Sequence, residues 1–245
     1  MVRDYNRGST AIRPVELQMG YNAWAEGSCL ISMGMTRVLV TATVEDKVPP
    51  FLRNSGRGWV SAEYGMLPRA THERTHREAT RGRQQGRTVE IQRLIGRALR
   101  ASLDLKVLGE RSILLDCDVL QADGGTRTAA ITAGFLALLQ AVSRIHAKTP
   151  FADKPFRGWL AALSIGLEQG EPLLDLNYEE DSRIGVDLNL VMLSGGKLVE
   201  IQGTAEHSLF DRQLLERLLD AAEPGFATLF QRQQEAFPEG QAVIA

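Results

Sequence analysis

The chain has 245 residues, which is enough for one large domain or two small domains that pack together. A net charge of −2 excludes a polycation, so any nucleic-acid site must come from local separation of charge. The two cysteines, Cys29 and Cys117, lie in apolar runs and predict core residues of a cytoplasmic protein rather than a disulfide. From the polar N-terminus and the short apolar runs we expect neither a signal peptide nor a membrane span.

The first 66 residues predict a polar arm followed by three strands. Residues 1–14 are polar, and we expect them to reach across the surface. Residues 26–44 are rich in β-branched side chains on both sides of Gly34, a pattern that is typical of a hairpin. Two prolines at 48–53 end the second strand, and residues 59–66 predict a third.

Residues 69–100 differ in charge from the rest of the chain. They contain nine arginines and three glutamates, a local charge of +6. From Arg87 onward, apolar residues recur at helical spacing and predict an amphipathic helix that Thr88 would cap. Residues 69–86 lack an apolar stripe and predict a loop. A solvated surface explains such a loop, but RNA or a neighbouring subunit fits its charge better.

A strand, a glycine turn and a helix follow one another in the middle of the chain. Residues 113–120 alternate as in a buried strand, and residues 129–148 are rich in Ala and Leu and predict a long helix. Between them, Gly124-Gly125 allows an anion to approach the backbone N–H groups of the helix start. Arg127 adds a planar guanidinium and Thr126 a hydroxyl, both suited to phosphate. A tight turn with Thr126 as the cap explains the same pattern equally well.

The second half of the chain begins after a polar connection. Residues 150–157 give the best boundary between an N-terminal half, 1–149, and a C-terminal half, 150–245. The later elements are predicted as strands at 159–167, 172–177, 185–193 and 197–204, a helix from 214 to 222 after a capping box at Ser208 and Asp211, and a last helix from 225 to 237 after a break at Pro224-Gly225. Each half thus offers a hairpin with an associated helix, which suggests an internal duplication within one compact α+β unit.

Two carboxylates are candidates for catalysis and metal binding. Asp187 lies on the polar face of an alternating strand, and Asp181 lies in the acidic loop before it. A fully extended chain would separate the two by roughly 20 Å, so they share a site only if residues 182–185 fold back. Paired carboxylates beside a phosphate site suit one or two Mg²⁺ ions. An acidic turn and an exposed strand aspartate explain the same pattern.

Five segments together resemble the bacterial ribonuclease PH family. They are VPPFLR at 48–53, AEYGMLPRAT at 62–71, GRT at 86–88 with EIQRLIGR at 90–97, DCDVLQADGGTRT at 116–128, and QGTAE at 202–206. The resemblance runs in order from about residue 13 to residue 237. The sequence departs from the family at 183–186 and at 207–209. Because several segments are long and specific, chance is a remote explanation.

The resemblance implies both a fold and a reaction. The fold would be α+β, a duplicated ribosomal protein S5 domain 2-like fold, in a homohexameric ring built as a trimer of dimers. The reaction would be phosphorolysis, in which inorganic phosphate attacks the last phosphodiester bond of tRNA precursors and other RNA 3′ ends. The site residues would be Arg87, Gly125, Thr126 and Arg127 for phosphate, Asp181 and Asp187 for catalysis and for Mg²⁺ or Mn²⁺, and Arg69, Arg74 and Arg77 for RNA binding or ring contacts.

Two other functions compete with phosphorolysis. A ring subunit that binds RNA without chemistry would lack the phosphate arginine or the acidic pair, and both are present at Arg127 and at Asp181 with Asp187. A metal-dependent hydrolytic 3′ exonuclease would need a denser acidic cluster and no dedicated phosphate pocket. The product distinguishes the two enzymes, since hydrolysis releases monophosphates and proceeds without inorganic phosphate.

Overall fold

The structure is a computed structural model that describes residues 3–205 and 209–245. The expected capping residue Ser208 and the family departure at 207–208 therefore lie outside the described residues. Within these ranges the strands are β1 (Val15–Met19), β2 (Gly27–Met33), β3 (Thr36–Glu45), β4 (Trp59–Met66), β5 (Ser112–Gln121), β6 (Leu160–Glu168), β7 (Glu171–Leu174), β8 (Val186–Leu193) and β9 (Lys197–Ala205). The helices are α1 (Glu78–Arg81), α2 (Gly86–Ser102), α3 (Leu105–Leu108), α4 (Thr126–Lys148), α5 (Tyr178–Asp181) and α6 (Arg212–Ala236), and short 3₁₀ turns lie at Asp4–Asn6, Pro50–Leu52 and Pro238–Val243.

The strands form one sheet in each half of the chain. The first sheet has the order β1-β2-β3-β5-β4 and is antiparallel except where β4 runs parallel to β5. The second has the order β7-β6-β8-β9 and is antiparallel throughout. The hairpin predicted around Gly34 is confirmed, with Met33 paired to Thr36 across the turn. The α+β class is confirmed as well.

Helix α4 packs against both sheets and forms the centre of the core. It contacts β2, β3 and β5 of the first sheet and β6 of the second. Its side chains from Ala129 to Leu139 are almost all fully buried. With 23 residues, α4 is long and apolar enough to cross a membrane, so the expectation that no apolar run reaches that length is wrong. Because 78% of its most apolar window is buried, α4 has the character of a core helix.

The amphipathic helix and the arginine loop of the first half are confirmed. Ile91, Leu94 and Leu99 of α2 are buried, whereas Arg93 and Arg97 are exposed on its other face. Residues 69–85 are irregular except for the four-residue helix α1. A long arginine-rich loop therefore leads into the first turn of α2.

The two halves share one hydrophobic core. The cluster of buried side chains includes Val40 and Phe135 of the first half and Leu163 of the second. Phe156, within the polar connection, is fully buried and forms bridges to Leu103 and Ile244. The division between residues 149 and 150 stays a prediction.

The predicted break at Pro224-Gly225 is wrong, because α6 continues through both residues. Pro224 removes one helical N–H, but Phe226 and Leu229 beyond it are buried, and this burial outweighs the loss of one hydrogen bond. Gly225 is needed for packing, since a Cβ atom there would lie 2.4 Å from the Leu174 side chain. The helix is capped by Asp211, whose carboxylate accepts a hydrogen bond from the Leu214 N–H at 2.8 Å.

Residues 3–14 lie mostly exposed, as expected for a segment that reaches across the surface, but three of their arginines were not expected to be buried. Arg3, Arg7 and Arg13 turn inward and form ion pairs with carboxylates of the second half. Arg3 and Arg7 bind Glu180, and Arg13 binds Asp175. The sequence contains no local signal for these contacts, since more than 160 residues separate each pair. We call residues 3–14 the N-terminal arm.

Candidate active site

The glycine turn before α4 is shaped by close contact with the second half. Gly124 and Gly125 have φ angles of 71° and 65°, which favour glycine. A Cβ atom on Gly124 would lie 2.5 Å from the Leu176 carbonyl oxygen. Helix α4 begins at Thr126 with Gly125 as its N-cap, so the interpretation of Thr126 as a capping residue is wrong. The first N–H groups of α4 therefore start directly after an open glycine turn.

Arg127 is held in place from two sides. Its guanidinium donates a hydrogen bond to the side-chain oxygen of Gln202 on β9 at 2.9 Å. It also lies 3.6 Å from the Glu90 carboxylate of α2, and Gln202 in turn donates to Glu90 at 2.7 Å. The Arg127 side chain is 16% exposed. These contacts fix a half-buried positive charge at the helix start, which favours binding of an anion.

Arg87 lies in the first turn of α2 and is exposed. The expectation that Thr88 caps this helix is wrong, because α2 begins at Gly86 and Gln85 occupies the N-cap position. Thr88 is buried inside the helix and donates a hydrogen bond to Glu78 of α1 at 2.6 Å. The contact ties the arginine loop to the start of α2.

The two carboxylates approach each other because the chain reverses between them. Asp181 ends α5, and the turn that follows is closed by hydrogen bonds from the Ser182 and Arg183 N–H groups to carbonyls of α5. Asp187 lies on β8, on the face opposite to the buried residues Val186 and Leu188. Both side chains line the same cavity, so the fold-back required by the spacing occurs.

One cavity of about 260 Å³ collects the phosphate candidates and the acidic pair. The lining residues are Tyr64, Met66, Thr71, Arg87, Ala122, Gly124, Gly125, Thr126, Arg127, Ser164, Tyr178, Asp181, Asp187 and Asn189. Two guanidinium groups and a helix start thus face two carboxylates across a small space. Such an arrangement can hold an anion on one side and a cation, or a proton to be transferred, on the other.

Sequence models of the two domains of a 3′ exoribonuclease family match residues 11–143 and 158–225. The chain belongs to the 3′ exoribonuclease family. It is 54% identical over 235 residues to a protein named ribonuclease PH from Moorella thermoacetica, covering 96% of this chain and 94% of that protein.

Solved structures share the fold of this chain. An exosome from Archaeoglobus fulgidus with RNA bound to its active site has a TM-score of 0.78 and 22% identity, covering 94% of this chain and 92% of that chain. An archaeal exosome core has a TM-score of 0.72 and 20% identity, covering 93% and 89%. The duplicated ribonuclease PH fold predicted from the sequence is confirmed.

The sequence did not reveal every residue that lines the cavity of this exoribonuclease-family protein. The Tyr64 hydroxyl lies 2.8 Å from the Thr126 hydroxyl and joins β4 to the helix start. Burial raises the pKa of Tyr64, although Thr126 and the charges of Arg87 and Arg127 oppose the shift. Tyr64 therefore stays protonated and can act as a hydrogen-bond donor at neutral pH. Its position within the segment AEYGMLPRAT was the only available signal.

Asn189 and Ser164 also line the cavity and were not predicted from the sequence. Asn189 follows Asp187 by two residues on β8, so both face the cavity, and its amide approaches the Asp187 carboxylate at 3.4 Å. Ser164 comes from β6, the neighbouring strand. Carboxylates with an amide and a hydroxyl nearby are oxygen donors of the kind that Mg²⁺ and Mn²⁺ prefer. Within the described part of the chain, however, His, Cys, Asp and Glu side chains form no cluster of three or more suited to a metal.

The arginine-loop candidates lie apart from this cavity. Arg69, Arg74 and Arg77 are all exposed. Arg77 lines a second, larger cavity of about 640 Å³, which shares Tyr64, Met66 and Arg87 with the first. In this family member, the arginine loop therefore leads toward Arg87 and lines the smaller cavity with Thr71, but not with its three candidate arginines.

Proposed function

We propose that the chain is a phosphorolytic 3′-5′ exoribonuclease that trims the 3′ ends of tRNA precursors and other RNAs. It uses inorganic phosphate, releases nucleoside diphosphates and can run in reverse to add nucleotides. The observation that carries the proposal is the single cavity that combines Arg87, the start of α4 with Arg127, and the carboxylates of Asp181 and Asp187. Membership of the 3′ exoribonuclease family supports the same activity.

The first task of the site is to bind phosphate next to another anion. Arg87 and Arg127 neutralise the charge that repels phosphate from the RNA backbone. The N–H groups that follow Gly125 point at the same position and orient the phosphate oxygens. Gln202 and Glu90 hold the Arg127 guanidinium, so little side-chain freedom is lost when phosphate binds.

The second task is to move one phosphoryl group. An oxygen of inorganic phosphate attacks the phosphorus of the last phosphodiester bond, and the bond from phosphorus to the preceding 3′ oxygen breaks. The attacking phosphate becomes the β-phosphate of the released nucleoside diphosphate. The 3′ oxygen leaves on the shortened RNA and takes up a proton, which Asp187 can deliver through a bound water.

Asp181 and Asp187 are the residues that would hold Mg²⁺ or Mn²⁺. Their oxygen atoms, together with nearby Asn189, fit a hard cation. Such an ion would supply positive charge to offset the negative charge that develops on the transferring group. The two carboxylates come from different elements, α5 and β8, and their separation is set by the turn at residues 182–185.

Arg69, Arg74 and Arg77 serve RNA binding or ring contacts in this proposal. They are exposed, carry like charges and lie on the loop that leads to Arg87, which suits contact with the RNA backbone. We also propose a homohexamer built as a trimer of dimers and a cytoplasmic location. The cytoplasmic location is consistent with two buried free thiols, Cys29 and Cys117. Light scattering tests the hexamer, and a monomer at working concentration would contradict it.

The test of the activity is an assay of 3′-end shortening on a tRNA precursor, with and without inorganic phosphate. We expect shortening only with phosphate, and nucleoside diphosphates as the released products. Monophosphates that appear regardless of phosphate would indicate hydrolysis and contradict the proposal. RNA binding without any product, by folded and assembled protein, would favour the non-catalytic ring subunit.

A further inference from the structure

The N-terminal arm packs behind the glycine turn of the candidate site through Arg13. The Arg13 and Asp175 side chains are both fully buried. Nε and Nη2 of Arg13 donate to the two oxygens of Asp175 at 2.9 and 2.7 Å, and the Arg13 backbone N–H adds a third hydrogen bond at 2.8 Å. Burial lowers the pKa of Arg13, but the charge and hydrogen bonds of Asp175 outweigh it and raise the pKa overall. Arg13 thus stays charged, and its three hydrogen bonds to Asp175 fix the geometry of the pair.

The third nitrogen of the same guanidinium holds the glycine turn. Arg13 Nη1 donates to the carbonyl oxygen of Asp123, the residue before Gly124. A Cβ atom on Gly125 would lie 3.0 Å from Arg13 Nη2, so the guanidinium packs directly beneath the turn. The position of the helix start that faces phosphate is therefore set partly by Arg13.

Asp175 connects the Arg13 side chain to the acidic pair, because the chain continues from Asp175 into α5 and Asp181. Its backbone has φ +55°, which ends β7 at Leu174 and explains why the strand predicted to reach residue 177 is shorter. Two residues later, Asn177 caps α5 in a capping box with Glu180. Helix α5 then ends at Asp181, so only five residues lie between the Arg13 partner and the first carboxylate of the site.

We propose that Arg13 is a positioning residue that sets the spacing between the phosphate turn at Gly124–Thr126 and the carboxylate of Asp181. One guanidinium binds a carbonyl on the first side of the cavity and a carboxylate on the second. Arg13 is absent from the cavity lining and acts through these two contacts. The inference rests on the proposed phosphorolysis, because the spacing matters only if phosphate and the acidic pair act on one bond.

Arg7 provides a matched comparison within the same arm. It is also buried, and its contacts in the described part of the chain are with the second half: hydrogen bonds to the carbonyls of Leu174 and Asp175 and to the carboxylate of Glu180, and an ion pair with the Asp175 carboxylate at 4.0 Å. Arg7 therefore supports α5 without holding the glycine turn. Changes at Arg7 and Arg13 should weaken α5 alike, but only those at Arg13 should disturb the phosphate side.

The experiment compares Arg13→Lys, Arg7→Lys and Arg100→Lys in steady-state phosphorolysis, with phosphate and RNA varied separately. Lysine keeps the charge but cannot span both contacts, so we expect Arg13→Lys to raise the KM for phosphate about 10-fold and to lower kcat/KM by about 100-fold. Arg7→Lys should lower kcat while the KM for phosphate changes less than about 2-fold. Arg100, which donates to the Val60 carbonyl away from the cavity, should show neither effect.

A second variant guards against poor folding of the first. Arg13→Gln with Asp175→Asn removes both charges, keeps a hydrogen-bonding pair, and retains a residue that tolerates the left-handed backbone at 175. We expect this protein to fold and to show the same rise in the KM for phosphate. A normal KM in the folded double variant, or equal KM values in Arg13→Lys and Arg7→Lys, would overturn the inference.

Hydrogen exchange on the unchanged protein completes the test. Saturating phosphate should slow exchange of the amides at 175–178 as well as those at 124–128, because Arg13 and the direct packing of Gly124 against Leu176 join the two segments. Protection limited to 124–128 would contradict the inference even if every variant failed to fold. A wild-type protein without phosphorolysis would instead refute the proposed function, so the two failures are distinguishable.

Discussion

Two arginine-rich regions of the molecule have opposite roles. In the N-terminal arm, Arg3, Arg7 and Arg13 are almost fully buried and paired with carboxylates. In the loop of residues 69–86, the arginines named as candidates are exposed. Buried arginines with fixed partners support the site, and Arg13 joins its two sides, whereas exposed arginines remain available to an outside anion. The lesson is that a partner carboxylate, rather than the arginine itself, distinguishes a structural cation from a binding one.

The largest expected effect is the loss of stability when a buried arginine of the N-terminal arm is removed. Arg13→Ala would leave the fully buried Asp175 carboxylate without its main partner, so we expect a loss of about 3–5 kcal/mol in the free energy of unfolding. Urea denaturation followed by circular dichroism measures it. Arg74→Ala, in the exposed loop, is the control and should change stability by less than about 0.5 kcal/mol. Similar losses in both variants would remove the distinction.

The next effect concerns catalysis. Arg127→Ala should lower phosphorolysis by about 100- to 1,000-fold, because a fixed charge facing phosphate is removed, while RNA binding is largely kept. Single-turnover assays and filter binding at one salt concentration measure the two quantities. A parallel loss of RNA binding would count against a phosphate-specific role.

Asp187→Asn, which keeps the shape of the side chain, should also remove activity without unfolding the protein, and unchanged turnover would exclude Asp187 from the site.

A pH titration sharpens the comparison at Glu180. Burial alone would raise the pKa of this carboxyl, but the hydrogen bond from Arg3, the Asn177 N–H and the charge of Arg7 lower it overall. The folded pKa is thus below the unfolded value of about 4.3, so the stabilisation is complete above that pH and is lost as the pH falls through the folded pKa. As the pH is lowered below about 4.3, we expect the urea concentration at the unfolding midpoint to decrease. In Glu180→Gln the midpoint should decrease less steeply with falling pH. Parallel acid slopes would contradict this role.

The smallest expected effect concerns the exposed arginines of the loop at residues 69–86. Replacing Arg69, Arg74 and Arg77 together with alanine should leave stability and the phosphate KM unchanged. RNA affinity should fall, and the slope of log affinity against log salt should decrease by about 1 for each arginine that binds an RNA phosphate. Fluorescence anisotropy at several salt concentrations measures the slope. An unchanged slope with a smaller assembly in light scattering would assign these residues to ring contacts instead.

Local patterns predicted much of this fold. The alternation in β2, β3, β5 and β8 and the apolar stripe of α2 were visible in the sequence, because each depends on neighbours within a few residues. Long-range packing was not visible. Pro224 remains helical because the residues after it are buried, and Arg13 is buried because Asp175 receives it. Neither outcome has a local signal.

The candidate site divides in the same way. Arg87, Arg127, Asp181 and Asp187 were named from motifs, and the structure places all of them around one cavity. The residues that hold these side chains in place were not predicted. Gln202, for example, accepts a hydrogen bond from Arg127 but lies 75 positions away in the sequence. Sequence motifs reveal the groups that face a ligand, whereas the side chains that position those groups appear only once the fold is known.

The central claim is that inorganic phosphate, bound between the arginines and the acidic pair, is the attacking group. The most direct measurement supplies ³²P-labelled inorganic phosphate with unlabelled RNA and locates the label in the released nucleotides. We predict that each released nucleotide is a diphosphate with the label at the β position, and that Arg127→Ala releases almost none. Unlabelled monophosphates, formed at the same rate in both proteins, would contradict the account.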